Sequence, residues 1–186
     1  MKSLVIAVII ASGSTWANAG EFNLVQSGQS GITFVSRQMG VPVNGKFGKF
    51  SAKIAFDPVK PETAKAQIDV DMSSIDAGSD DANIEVKGKD WFSIKEFPTS
   101  IFESTSIKAI GGGRYEAAGK MTIKNVTRNV VAPFAAKIVG NTATLDGGIA
   151  ISRKQYAVGT GEWADDSTVA DDVQLHFKIV LGTARK

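Results

Sequence analysis

Period-two alternation of apolar and polar residues dominates this chain and restricts it to a sheet-based fold. From Val173 to Leu181 the apolar set is Val173, Leu175, Phe177, Ile179 and Leu181, while Gln174, His176 and Lys178 occupy the other phase. An extended strand sends successive side chains to opposite faces, so this run has one apolar and one wet face. Ala66, Ile68, Val70 and Met72 alternate with Gln67, Asp69 and Asp71 in the same way. So do Met121 and Ile123 with Lys120, Thr122 and Lys124, and Leu145, Ile149 and Ile151 with Thr144, Gly148 and Ser152. Ile32 and Phe34, then Ala52, Ile54 and Phe56, extend the series toward the N-terminus. Turn signals separate the runs at Asp57-Pro58, Gly111-Gly112-Gly113, Gly140-Asn141 and around Asp165-Asp166. One-sided strands joined by short turns predict an all-β antiparallel meander. A sheet of many such strands tends to close, because closure removes its exposed edges.

One segment interrupts the alternation. Ser79 to Trp91 has few β-branched residues, and Ser79 can cap a helix whose first turn carries Asp80 and Asp81 near its positive end. The expectation is one or two helical turns to about Lys87, stopping near Gly88. Trp91, Phe92 and Phe97 follow and are predicted to plug one mouth of the barrel.

The N-terminus predicts export. Lys2 precedes the apolar run Leu4 to Ala11, which is shorter than the roughly 20 residues a membrane span needs. Ala17-Asn18-Ala19 then fits the small-x-small rule of signal peptidase, giving a signal peptide over 1–19 and one mature domain over 20–186. A periplasmic location is therefore expected. The chain has no cysteine, which excludes disulfides, thiol catalysis and a lipoprotein anchor. Its formal net charge is +2 with the charges interspersed, so nucleic-acid binding lacks its usual basic stripe.

The inventory for chemistry is thin. The sole histidine, His176, falls on the polar face of a strand and is expected to point to solvent rather than serve a catalytic triad. One histidine without cysteine cannot build a zinc site, and neither Asp165-Asp166 nor Asp171-Asp172 matches a calcium loop. Gly111-Gly112-Gly113 lacks the spacing of a phosphate loop and reads as a hairpin turn. No catalytic residue, metal or resident cofactor is predicted. Arg153, just past Ile149 to Ile151 and before Tyr156, either closes a barrel end by pairing with a carboxylate or meets a ligand headgroup.

The ordered landmarks of the chain resemble the YceI family of exported bacterial proteins. They begin with Ser30-Gly31-Ile32-Thr33-Phe34, the G-x-F-x-x-F element at Gly45 to Phe50, and Phe56-Asp57-Pro58. Ser74-Ile75-Asp76-Ala77-Gly78, Asp90-Trp91-Phe92 and Glu96-Phe97-Pro98 follow. Gly119 to Lys124, Val126-Thr127-Arg128, Arg153, Tyr156, Gly159, Gly161-Glu162-Trp163 and Val173 complete the order. Asn125 stands where the family usually has glycine and Asn129 where proline is common, so the turn after Lys124 is expected to differ locally.

The resemblance implies a lipocalin-like, extended antiparallel β-barrel of about eight strands with a short helix near one end. It also implies an elongated interior that binds an isoprenoid (quinone-like) or fatty-acid-like lipid, transient membrane contact and a homodimer. The inward-facing set would then form the wall: Phe34, Phe56, Ile68, Val70, Met72, Met121, Ile123, Leu145, Ile149, Ile151, Leu175, Phe177 and Ile179. Trp91, Phe92 and Phe97 would guard the mouth, with Arg153 and Tyr156 at a headgroup or barrel end. Alternation is the same in a hollow and a filled barrel. A dry-cored stress-response or interaction module, with no catalysis, is therefore the alternative. A continuous apolar cavity of roughly 300–1,000 Å³ would distinguish a carrier from that alternative.

Overall fold

Backbone pairing turns the alternating runs into one curled sheet. The computed structural model describes residues 21–184, so the predicted leader at 1–19 lies outside the described residues. The strands are β1 (Phe22–Val25), β2 (Gly31–Gln38), β3 (Val41–Phe47), β4 (Phe50–Ala55), β5 (Lys65–Asp71) and β6 (Ile75–Asp76). A single α-helix among the described residues, α1 (Asp80–Val86), precedes β7 (Thr99–Gly111), β8 (Arg114–Ile123), β9 (Val126–Val139), β10 (Thr142–Ser152) and β11 (Asp172–Thr183).

The sheet runs β4-β5-β7-β8-β9-β10-β11-β2-β3-β6, with all pairs antiparallel. Its two ends are the same hairpin. β3 and β4 are one length of chain broken only at Gly48-Lys49, and β5 and β6 are one length broken by a 3₁₀ turn at Met72–Ser74. β4 pairs with β5 while β3 pairs with β6, so the path returns on itself. Joined in this way, the eleven strands reduce to eight long spans plus β1, as the resemblance implied. β1 fills the wedge at the end where β2 and β4 diverge: Phe22 pairs with Thr183 of β11 and bridges to Phe56.

Local chemistry explains the turns. Gly111 pairs with Arg114, leaving Gly112 and Gly113 as the two central residues of the β7–β8 turn, both at positive φ. Two-residue hairpin turns need that geometry and glycine adopts it without a steric penalty. The β8–β9 turn uses Lys124 (φ 49) and Asn125 (φ 60). Asparagine tolerates left-handed backbone, so the departure from the family's usual glycine preserves the turn.

The helix is where the sequence predicted it. Ser79 Oγ accepts from the Ala82 amide at 3.2 Å, and Asp80 and Asp81 fill the first turn. Lys87 is the C-cap, one residue before Gly88.

Packing is uneven along the barrel axis. At the end occupied by β1, the core is solid: Phe56 is fully buried, with Tyr115 at 5.2 Å and Phe134 at 6.1 Å between ring centroids. Tyr115 and Phe134 stack at 5.3 Å, and Phe22, Ala143, Ile179 and Leu181 complete the block. Phe56→Ala should therefore cost about 3–5 kcal/mol of stability, measured by denaturant unfolding. A loss below about 1 kcal/mol would show that this block is not the anchor of the fold.

Candidate functional site

Above the aromatic block the barrel is hollow. An apolar cavity of 920 Å³ runs from Phe56 and Phe134 at its floor to the helix-capped end. The strands supply its wall from the predicted phase: Phe34 from β2, Ile68 and Val70 from β5, Met121 and Ile123 from β8. Leu145, Ile149 and Ile151 come from β10, Leu175, Phe177 and Ile179 from β11, and Met72 from the turn after β5. Trp91 and Phe92 line the capped end, as do Arg153 and Tyr156.

Phe97 is the exception. It does not line the cavity, although it was predicted to guard the mouth. The chain tightens there: the amides of Glu96 and Phe97 both donate to the Ser93 carbonyl, at 2.9 Å each. This local turn ends the aromatic cluster's contribution at Phe92.

Several lining residues were not singled out beforehand. Phe102 and Ser100 of β7, Ala132 and Phe134 of β9, and Trp163 all line the cavity. In β7 the inward positions include Ser100 and Ser104, and a register shift between Ser104 and Ser106 changes the phase. Polar inner residues and a bulge together erase the alternation that would have marked this strand. In β9 small Ala132 precedes Phe134, and Val130-Val131 interrupts the pattern. The mouth lies where the β2–β3 hairpin (Ser36, Gln38, Asn44) faces α1 (Asp81, Glu85), so polar side chains gather at the rim on this side.

The capped end is fixed by one buried arginine. The Arg153 side chain is 3% exposed and donates five hydrogen bonds, all to backbone carbonyls. Nε reaches Ala170 O at 3.1 Å, and Nη1 reaches Val158 O at 3.0 Å and Gly159 O at 2.7 Å. Nη2 reaches Trp163 O at 2.7 Å and Val169 O at 2.6 Å. A guanidinium has five N–H donors, so none remains for a headgroup. This corrects the headgroup alternative for Arg153. The predicted carboxylate pairing is secondary too: Asp166 Oδ1 lies 4.0 Å from Nη2 but 2.5 Å from Lys154 Nζ. Desolvation lowers the guanidinium pKa, and the charges of Asp166 and Asp171 oppose that shift.

Neighbouring contacts lock the aromatic cap onto this loop. Arg153 lies over the Trp91 ring at 5.7 Å, and Trp91 packs against Trp163 at 5.6 Å. Asp90 O accepts from the amides of Gly159 and Thr160, each at 2.8 Å. Lys124 Nζ donates to Lys89 O and Ala157 O, each at 2.9 Å. The buried indole N–H groups of Trp91 and Trp163 have no acceptor among the described residues. Tyr156, 2% exposed, packs with Ile123 and Val158, and burial pushes its phenol pKa up. It is a wall residue of the capped end.

His176 is exposed on the outer face, with Nε2 3.0 Å from Asp146 Oδ1. Among the described residues no three His, Cys, Asp or Glu side chains gather in a metal-binding arrangement.

A family model for the YceI-like domain matches residues 24–181. The chain belongs to the YceI family. A UPF0312 protein of Azotobacter vinelandii is 25% identical over 171 residues, covering 85% of this chain and 88% of the relative. The crystal structure of Burkholderia cenocepacia BcnA is 44% identical with a TM-score of 0.82, covering 84% of this chain and 98% of BcnA. A polyisoprenoid binding domain from Saccharophagus degradans, implicated in plant cell wall breakdown, has the same fold at 12% identity. Its TM-score is 0.68, with 86% of this chain and 97% of that domain covered. The YceI fold read from the ordered motifs is thus the fold of the chain.

Two outcomes test the capped end. Arg153→Met strips five carbonyls, three of them buried, of their donor and should cost about 3–5 kcal/mol, read as a lowered Tm. An unchanged Tm would remove Arg153 as the organiser of this loop. Asp171 supplies a pH signature. Desolvation raises its pKa, but the Lys154 amide, the Ser152 hydroxyl and the charges of Lys154 and Arg153 outweigh it, and the net shift is downward from 3.8. A lowered folded-state pKa stabilises the fold above 3.8 and loses that contribution as pH falls through the folded value. The stability advantage of the natural protein over Asp171→Asn should therefore be full at neutral pH and shrink below pH 3.8. An advantage that is constant with pH would count against an ionised role.

Proposed function

We propose that this YceI protein is a non-catalytic carrier that holds one long apolar chain, an isoprenoid such as a quinone tail or a fatty-acid-like lipid, in its barrel. The observation that carries this reading is the continuous 920 Å³ apolar cavity, walled by the inward phase of the strands and dry-packed below. Its size falls within the range of small-molecule sites. Burying each CH₂ is worth about 0.8 kcal/mol, so an isoprene unit contributes about 3–4 kcal/mol before ordering costs. A few units suffice without any charged contact. The saturated donors of Arg153 fit a ligand held by its tail. The polyisoprenoid binding domain of like fold supports the same ligand class.

The proposed compartment is the periplasm, from the leader pattern ending at Ala17-Asn18-Ala19. Membrane contact belongs to the same proposal. Met39 (72% exposed) and Val41 at the tip of the β2–β3 hairpin, and Ile84 (73%) on α1, flank the mouth with apolar side chains. A lipid leaving a bilayer would meet these first.

Organic extraction of the purified protein followed by mass spectrometry should release a prenyl or acyl lipid, and stripped protein should take up added quinone. Val70, on the cavity wall, provides the control. Val70→Trp should abolish uptake while the far-UV spectrum and Tm stay near those of the natural protein. If the interior were instead closely packed, the larger side chain would cost about 1–3 kcal/mol. Protein that is consistently empty and refuses added lipid would sink the proposal.

A further inference from the structure

A barrel lined by several phenylalanines should fill itself. Phe34, Phe102 and Phe177 all point inward, yet the lumen stays open. Each of these rings lies where the Cβ of a glycine on a neighbouring strand would stand. Phe102 covers Gly119, Phe177 covers Gly147, and Phe34 covers Gly45. The third pair differs from the others. A Cβ on Gly119 would also meet the Glu103 carbonyl at 2.5 Å, and one on Gly147 would meet the Pro133 carbonyl, so those glycines are required by backbone packing. A Cβ on Gly45 would stand 2.5 and 2.6 Å from Cε1 and Cε2 of Phe34 and closer still to Cζ, and its three nearest neighbours are all atoms of that ring.

Phe34 and Gly45 are direct partners across β2 and β3, so both positions face the lumen. The ring therefore does not project across the lumen. It leans along the wall into the space a side chain at 45 would have used. Gly45 is absent from the positive-φ residues, so its backbone suits any residue. Glycine weakens a strand interior, and here no turn asks for it: the atoms nearest the missing Cβ belong to the Phe34 ring.

We infer that Gly45 is a bore-setting residue: its missing Cβ lets Phe34 lie flat and keeps open the passage from the α1 mouth to the inner cavity. This rests on the carrier reading above. Phe34 packs in one cluster with Ile75, Ala77, Phe92 and Leu175. Phe47 occupies one flank of the ring at 5.4 Å. An alanine at 45 cannot coexist with the ring as it lies, because Cβ contacts under 3.0 Å do not occur. The open space that Phe34 borders is the lumen.

The test uses the full mature chain and geranylgeraniol as the probe, with uptake followed by native mass spectrometry. Gly45→Ala should weaken uptake by at least about tenfold while the far-UV spectrum is retained. In a crystal structure of the variant, Phe34 should have swung into the lumen. Gly45→Ala combined with Phe34→Ala should return uptake to within about twofold of Phe34→Ala alone, since without the ring the added methyl has nothing to displace. Equal uptake by the natural protein and Gly45→Ala would overturn the inference and leave the carrier reading standing. A folding failure of Gly45→Ala that Phe34→Ala does not rescue would overturn it too, because the ring would not be what the methyl meets. If the natural protein takes up no probe, the carrier reading falls and the bore loses its function with it.

Discussion

The dry aromatic block at one end of the barrel is what permits a void at the other. A closed sheet gains its ladder hydrogen bonds all round, but a ladder exchanged with water contributes little net stability by itself. Burial of apolar surface must supply the rest, and a hollow half supplies less of it. Phe56, Tyr115 and Phe134 concentrate that burial at the closed end, where β1 wedges the diverging strands together through Phe22. The chain thus separates what holds the fold from what lines the space.

A second, polar device fixes the capped end. The loop between β10 and β11 turns five carbonyls toward one guanidinium. Carbonyls aimed inward are costly unless a donor meets them, so the arginine and the loop define each other's geometry. Through Trp91 and Asp90 the same loop holds the aromatic cap, and Lys124 ties in the β8–β9 turn. Apolar packing anchors one end and hydrogen bonding the other.

Much of this was legible in the sequence, for identifiable reasons. β5, β10 and β11 have one-sided alternation, and their inward residues were readable as wall. Ser79, Asp80 and Asp81 announced the helix through capping chemistry that acts over three residues. β7 and β9 were opaque, because serine and alanine at inward positions and a bulge in β7 carry no period-two signal. Arg153 was recognisable as a barrel-end residue, but its partners are main-chain oxygens, which every residue has and no pattern marks. Whether the interior was hollow could not be read from alternation at all. That depends on which way a phenylalanine ring leans, and the lean is decided by a glycine on the adjacent strand.

The blind floor at Phe56 and Phe134 has a kinetic meaning for the proposed ligand. A chain seated in a dead-end channel enters and leaves through one door, and it must be drawn out along its whole length. Every methylene pulled back into water costs about 0.8 kcal/mol, which multiplies dwell time roughly fourfold. Such a barrel would act as a clock as well as a container: short tails would escape quickly, and long ones would wait for an acceptor surface to shorten the journey.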